Sequence, residues 1–124
     1  MIKPFNIVRD LENKRYTEGS DNIVLTQFDK GMNIDFYLLL SGKTVNWGQG
    51  RTTGKVTFKN GDEIVVDKKE CDFDRDTIKW TYEVDEKLTG KPGNVKGIFD
   101  VEVAGKRVAS SQFELVILEH LTTY

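Results

Sequence analysis

The 124-residue sequence has only one cysteine, Cys71, and one histidine, His120, the residues that form disulfides and most transition-metal sites. A single cysteine excludes an intramolecular disulfide and a thiolate zinc cluster. A lone histidine near the C-terminus excludes a multi-histidine metal site and argues against a catalytic triad. We expect His120 to be exposed and Cys71 to be a buried, small apolar residue rather than a nucleophile. The sequence therefore predicts no enzyme and no cofactor.

Long apolar segments are also absent, since the longest apolar run is Phe36–Leu40, far below the ~20 residues that span a bilayer. Met1-Ile2-Lys3-Pro4 leads into polar sequence without the apolar stretch of a secretory signal. We expect a protein made in the cytosol that makes no membrane contact. Eighteen basic and twenty acidic residues, scattered along the chain, give a net charge of −2. Such a balance creates no field for a phosphate backbone, so nucleic acid is not an expected partner.

Alternation of apolar and polar residues is the dominant pattern in the chain. From Thr77 to Val84 it places Trp80 and Tyr82 on one face and polar or charged residues on the other, which predicts a half-buried strand with Trp80 in the core. Ile34–Leu40 has apolar residues on both faces, which predicts a strand covered on both sides. Similar patterns predict further strands at Phe5–Val8, Ile23–Phe28, Lys55–Phe58, Glu63–Asp67, Gly97–Val103, Lys106–Ser110 and Gln112–Leu118.

Turn signals separate these strands. Asn60-Gly61 predicts a type I′ hairpin, because both residues accept positive φ angles. Ala104-Gly105 is a weaker pair in an equivalent place. Helical patterns are short: Asp85–Leu88 predicts one turn capped by Asp85 and ended before Pro92, and Leu11–Tyr16 is a polar second candidate.

Composition and strand spacing together predict the fold class. The 38% hydrophobic content and the length suit one globular domain, residues 1–124. Closely spaced strands without crossover helices favour antiparallel pairing, and two sheets packed face to face provide the dry core. We predict an all-β, immunoglobulin-like antiparallel β-sandwich of about eight or nine short strands.

Two motifs imitate ligand sites. Gly42-Lys43-Thr44 resembles the end of a phosphate-binding loop, but Tyr37 stands where the loop needs its first glycine, so a hairpin or loop is favoured. Asp72, Asp74 and Asp76 stand at positions 1, 3 and 5 of an EF-hand-like stretch. Because Thr77 replaces the turn glycine, we interpret the stretch as an acidic turn, with a weak Ca²⁺ site as the alternative.

Two residues are candidates for partner contact. Trp47 lies in a glycine-rich stretch outside any clear strand pattern, where an aromatic side chain can anchor a partner, although burial against the sandwich is equally compatible with the pattern. Arg51 follows in the same stretch and offers a charge. We predict Trp47 and Arg51 as partner-binding residues.

The order of several short motifs across most of the chain resembles the N-terminal domain of baseplate upper proteins from tailed phages of Gram-positive bacteria. The matching residues are Phe28–Gly31, Val56–Phe58, Asn60-Gly61, Cys71, Ile78–Trp80, Gly93, Gly97–Val103, Gly105-Lys106 and Ser110–Leu115. The resemblance implies an immunoglobulin-like sandwich that docks onto the phage tail and helps to carry the host-recognition apparatus, without catalysis or cofactor.

The same resemblance implies partners and location. It implies binding to other tail or baseplate proteins, a possible homo-oligomer, synthesis in the host cytoplasm and a place in the assembled virion. Family members often continue into coiled-coil and receptor-binding-protein scaffolding parts, whereas this sequence ends soon after its last predicted strand. The alternative function is a carbohydrate-binding module, with Trp47 and Tyr37 as a stacking platform.

Overall fold

A computed structural model of the chain describes residues 4–12, 21–44 and 52–121. The described residues form nine strands and one short helix. The strands are β1 (Phe5–Asp10), β2 (Ile23–Thr26), β3 (Asn33–Leu40), β4 (Lys43–Thr44), β5 (Thr52–Asn60), β6 (Glu63–Asp74), β7 (Lys79–Glu83), β8 (Gly93–Val103) and β9 (Lys106–Leu118). The helix α1 (Glu86–Thr89) lies between β7 and β8.

The strands form two sheets that share strand β6. Sheet A contains β1, β3, β4, β7 and the end of β6, where Asp72–Asp74 pairs with β7. Sheet B contains β5, β8, β9, β2 and the rest of β6, which pairs with β5. The path of neighbouring strands is therefore continuous, in the order β1-β3-β7-β6-β5-β8-β9-β2, with β4 beside β3. The prediction of an all-β sandwich of eight or nine strands is confirmed.

Aromatic side chains fill the space between the two sheets. Phe36 of sheet A stacks on Phe99 of sheet B with ring centroids 4.4 Å apart. Trp80 is fully buried, with its ring 5.4 Å from Phe99 and 4.7 Å from Phe73. Trp80 is thus a core residue, as its place in the alternating pattern predicted. Offset and tilted ring pairs of this kind add to the stabilisation from apolar burial.

Two glycines let these rings lie against the backbone of sheet B. A Cβ atom on Gly97 would lie 2.2 Å from the Phe113 ring, which belongs to the residue directly opposite on β9. A Cβ atom on Gly54 would lie 2.5 Å from the Trp80 indole. Since real Cβ contacts are never so short, both positions require glycine for packing.

The pairing at the ends of the strand path differs from the predicted antiparallel pattern. Strand β1 pairs with β3 in parallel, and β2 pairs with β9 in parallel. The backbone N–H of Asp21, just before β2, donates to the Asn6 carbonyl at 2.7 Å, and Arg9 Nε donates to the Gln112 carbonyl at 3.2 Å. The first and last strands of the path therefore approach each other, and the sheet nearly closes into a barrel.

Both predicted hairpins form, but only the second has the predicted kind of turn. Asn60 pairs with Glu63, so the turn residues are Gly61 and Asp62, and only Gly61 has a positive φ, +61°. This is the type II′ pattern, and the predicted Asn60-Gly61 type I′ turn is wrong. Asn60 is instead buried, and its side-chain amide donates to the Lys91 carbonyl at 3.0 Å. At Ala104-Gly105 both φ angles are positive, +52° and +82°, as type I′ requires.

The bounds of the helix agree with the sequence prediction, whereas those of two strands differ from it. Helix α1 is capped as predicted, because the Asp85 carboxylate accepts from the Lys87 N–H, and it ends at Thr89, just before Gly90. Lys106–Ser110 and Gln112–Leu118 are one strand of 13 residues rather than two short ones. Ile78 has a φ of +52° and lies in the turn before β7 instead of in the strand. The second helical candidate, Leu11–Tyr16, falls mostly outside the described residues.

Candidate functional site

The predicted partner residues Trp47 and Arg51 lie outside the described residues. Their role therefore stays a prediction. The nearby Gly42-Lys43-Thr44 motif is described: Gly42, with a φ of +79°, occupies the turn between β3 and β4, and Lys43–Thr44 is strand β4. No helix begins at Lys43, as the interpretation of this motif as a hairpin predicted.

Asp10 holds this turn. One carboxylate oxygen accepts from the Glu12 N–H at 2.9 Å, and the other accepts from the Gly42 N–H at 2.8 Å. These backbone hydrogen bonds to the charged form lower the pKa of Asp10. In the motif that resembles a phosphate-binding loop, the backbone N–H of Gly42 therefore already donates to a carboxylate of the chain itself.

The three acids of the weak Ca²⁺ candidate lie on a hairpin. Asp72 and Asp74 end strand β6 opposite Thr81 and Lys79, and Asp76 lies in the following turn. The Asp74 carboxylate accepts from the Asp76 N–H at 2.9 Å, and this bond is the main reason for its lowered pKa. Among the described residues, no three acidic, histidine or cysteine side chains are grouped so that they could hold a metal ion. Asp74 serves the turn, as the interpretation of an acidic turn predicted.

Cys71 and His120, the cysteine and the histidine of the sequence, lie far apart in the chain and in different surroundings. Cys71 is buried, and burial raises the pKa of its thiol to about 12. Cys71 is therefore a protonated core residue at neutral pH, as predicted. His120 is half-buried rather than exposed, with its ring centroid 6.4 Å from that of Phe28.

The outer face of sheet A carries a polar cluster whose charges are paired within the chain. Asp35 is only 2% exposed, although its side chain points away from the core between Ile34 and Phe36. Its carboxylate accepts from Lys79 Nζ at 3.1 Å and from the Thr81 hydroxyl at 2.7 Å. Tyr37 and Leu39, which share this face of β3, are half-buried, so the prediction that β3 is covered on both faces holds only in part.

The outer face of sheet B is open by contrast. We define it by the outward side chains of β6, β5, β8, β9 and β2, which include three exposed aliphatic residues: Ile64, Ile98 and Val24, with 56%, 38% and 51% exposure. Lys59 and Lys96 stand directly opposite each other on β5 and β8, and Ile64 and Glu114 extend this row on either side. The face thus combines apolar side chains with a lysine pair.

Two connected grooves cross this face. The first, of about 680 Å³, runs over Ile64, Lys59 and Ile98 to a wall formed by Arg9 and Asp21. The second, of about 820 Å³, shares Lys59 and Lys96 with the first and continues to Val24 on β2. Asp21 is fixed in the wall, because its carboxylate accepts from the Asn6 N–H at 2.7 Å. The grooves are therefore bounded by paired strands and a bonded wall, and are formed in the free protein.

Sequence reasoning did not identify this face, although a signal was present. In the predicted strand Gly97–Val103, the inward residues Phe99 and Val101 leave Ile98 pointing outwards. Val24 is similarly out of phase between Ile23 and Leu25. An aliphatic residue on the polar side of an alternating strand is the feature that could have located the face.

Comparisons with known proteins give a match in fold alone. By sequence, no protein family and no curated protein matches the chain. By structure, the chain is similar to the N-terminal domain of phage TP901-1 ORF48, with a TM-score of 0.69 at 12% sequence identity. The similarity covers 93% of this chain and 98% of that domain. The two therefore share a fold over nearly their whole length.

The described residues also bear on a membrane location. Among them, no helix has the length and apolar content needed to cross a bilayer.

Proposed function

We propose that this chain is a structural, non-catalytic component of a phage tail, which docks onto other tail or baseplate proteins and helps to attach the host-recognition apparatus. The observation that carries the proposal is the shared fold with a phage protein domain over 93% of the chain. The motif order that resembles baseplate upper proteins supports the same assignment. The shared fold supports a phage protein, and the motif resemblance supports a place in the tail.

The open outer face of sheet B supports a docking role. Its aliphatic residues Ile64, Ile98 and Val24 remain in contact with water in the isolated chain. Clustered apolar exposure beside charged residues is typical of surfaces that bind other proteins. On the outer face of sheet A, by contrast, the Asp35 carboxylate is already satisfied by Lys79 and Thr81.

A place in the assembled virion follows from this proposal, with synthesis in the host cytoplasm before assembly. The partners are then tail or baseplate proteins, and association of several copies around the tail is compatible with the role. Neither nucleic acid nor a membrane is required by it.

Light scattering after size exclusion tests the proposal, on the protein alone and mixed with purified tail proteins of tailed phages of Gram-positive bacteria. We expect a stable complex of defined mass with at least one tail protein. A glycan array on the same sample tests the carbohydrate-binding alternative. A monomer that ignores the tail proteins and binds a glycan would overturn the proposal.

A further inference from the structure

The row of side chains that crosses the outer face of sheet B has two lysines side by side at its centre, with Glu114 on the far side of Lys96. Lys59 and Lys96 are direct cross-strand neighbours, an arrangement of like charges that destabilises a sheet. In the described part of the chain, the ion pairs join other residues, and none of them includes Lys59, Lys96 or Glu114. A carboxylate placed between the two ammonium groups would remove this repulsion.

The residues around the lysine pair indicate which other chemical groups a ligand of the grooves would need. Ile64 lies opposite Lys59 on one side, and Ile98 lies two residues beyond Lys96 on β8. Both aliphatic side chains are partly exposed and offer contact to an apolar group. Glu114 stands beyond Lys96 and would repel a second acid there. The face therefore favours one acidic group flanked by apolar ones.

The shape of the grooves favours an extended segment. Each groove crosses four neighbouring strands, β6 to β9 in the first and β5 to β2 in the second. Strands lie ~4.8 Å apart, so the crossing is roughly 14 Å long, and an extended chain covers that distance in about four to five residues. The aromatic residue that lines the first groove, Phe113, is 3% exposed and presents no ring for stacking a sugar.

We propose that the grooves on the outer face of sheet B bind an extended segment of a partner protein, with an acidic side chain held between Lys59 and Lys96 and an aliphatic side chain against Ile64 and Ile98. The proposal rests on the docking role proposed above and names the surface and the chemistry of the partner.

The test uses a yeast-displayed library of random nine-residue peptides selected on the wild-type protein. Enriched peptides are then synthesised, and their affinity is measured by fluorescence anisotropy. We expect enrichment of peptides with one acidic and at least one aliphatic residue. The double change Lys59→Glu/Lys96→Glu should weaken their binding by about tenfold or more, because like charges then face each other in the contact.

Two controls keep the test specific. Lys87→Glu/Lys106→Glu changes the net charge equally at exposed positions away from the grooves and should leave affinity unchanged. Replacing the acid of the peptide by lysine should restore binding to the Lys59→Glu/Lys96→Glu protein. If that protein has a lowered melting temperature, Lys59→Gln/Lys96→Gln replaces it, and the same loss of affinity is expected.

Several results would overturn the proposal. These are the absence of enriched peptides, enriched peptides without an acid, and equal binding to the charge-reversed protein. Self-association that the charge reversal abolishes would assign the face to a second copy of the chain. Glycan binding that the reversal abolishes would assign it to a carbohydrate.

The same variants separate this proposal from the proposed function. If the tail-protein complex forms equally well with Lys59→Glu/Lys96→Glu, the docking role stands and the groove is the wrong surface. If wild-type protein forms no complex with any tail protein, the docking role fails, while the peptide selection still decides what the groove binds.

Discussion

The outer faces of the two sheets differ in how their charged side chains are paired. On sheet A, the outward carboxylate of Asp35 is buried and bonded to Lys79 and Thr81, so its charge is satisfied within the chain. On sheet B, Lys59 and Lys96 face each other without an acid between them, and Ile98 is exposed beside them. The charge on the outer face of sheet A is paired within the chain, whereas the lysine pair on the outer face of sheet B is the place where we propose that a partner binds.

This difference indicates which face stabilises the fold and which is available for binding. A buried ion pair with a hydrogen-bonded hydroxyl stabilises only as long as all members are present, because each left alone has lost its water. Exposed aliphatic residues contribute little to stability, since they stay hydrated. Changes on the outer face of sheet A should therefore alter unfolding, and changes on the outer face of sheet B should alter binding.

The largest effect is expected from Asp35→Ala, which leaves Lys79 and the Thr81 hydroxyl without their acceptor. Removing one member of a buried ion pair typically costs 3–5 kcal/mol, and because the Lys79 side chain is 26% exposed we expect the low end, about 3 kcal/mol. Urea unfolding followed by circular dichroism measures it. Asp35→Asn keeps an acceptor for Thr81 and should cost less, about 1–2 kcal/mol. Equal stability of Asp35→Ala and wild type would show that the cluster is not structural.

Gly97→Ala should follow, because it places a methyl group against the inner side of sheet B. The new Cβ would lie 2.2 Å from the Phe113 ring, so the ring or strand must move. Overpacking of a core usually costs about 1–3 kcal/mol. Adding Phe113→Leu makes room, so the double variant should be more stable than the sum of the two single changes predicts. Strict additivity in that cycle would argue against a clash.

A smaller effect is expected from pH, through the ion pair of sheet A. The hydrogen bond to Asp35 raises the pKa of Lys79 above its ordinary value of 10.5. A raised pKa in the folded state means that the stabilisation is complete below pH 10.5 and is lost as the pH rises through the folded pKa. Lys79→Met leaves the buried Asp35 carboxylate without its cation, so we expect it to lower stability at pH 7 and this difference to shrink above pH 10.5. A difference that stays constant up to pH 12 would contradict the assignment.

Local alternation predicted most of the fold because the period of two decides which side chains enter the core. Trp80, Phe99 and Leu115 are buried as this period requires. What it missed depends on contacts between distant residues. The parallel pairing of β1 with β3 has no local signal. Asn60 resembles a turn residue because it precedes a glycine, whereas the bond that holds its side chain goes to the Lys91 carbonyl, 31 residues away.

The candidate site was harder to predict for the same reason. The prediction for Trp47 and Arg51 rests on residue type and on a glycine-rich stretch, and neither says what surrounds these side chains. Lys59 and Lys96 are unremarkable as single residues, and they form a pair only because the register of β5 against β8 places them opposite each other. A charge pattern that arises from strand register becomes visible only when the sheet is assembled.

The smallest effect on stability should come from Ile98→Thr, one residue from Gly97 but on the opposite face of β8. Ile98 is 38% exposed, and threonine keeps the β-branched shape that suits a strand, so we expect a change of no more than about 0.5 kcal/mol. Val101→Thr is the matched control, because Val101 lies on the same strand at 0% exposure and its change buries a hydroxyl, which should cost about 1–3 kcal/mol. Urea unfolding of both variants, with anisotropy of the selected peptides, separates the two roles. Ile98→Thr should unfold like wild type and bind the peptides more weakly, whereas a loss of stability as large as that of Val101→Thr would mean that the outer face of sheet B is as covered as that of sheet A.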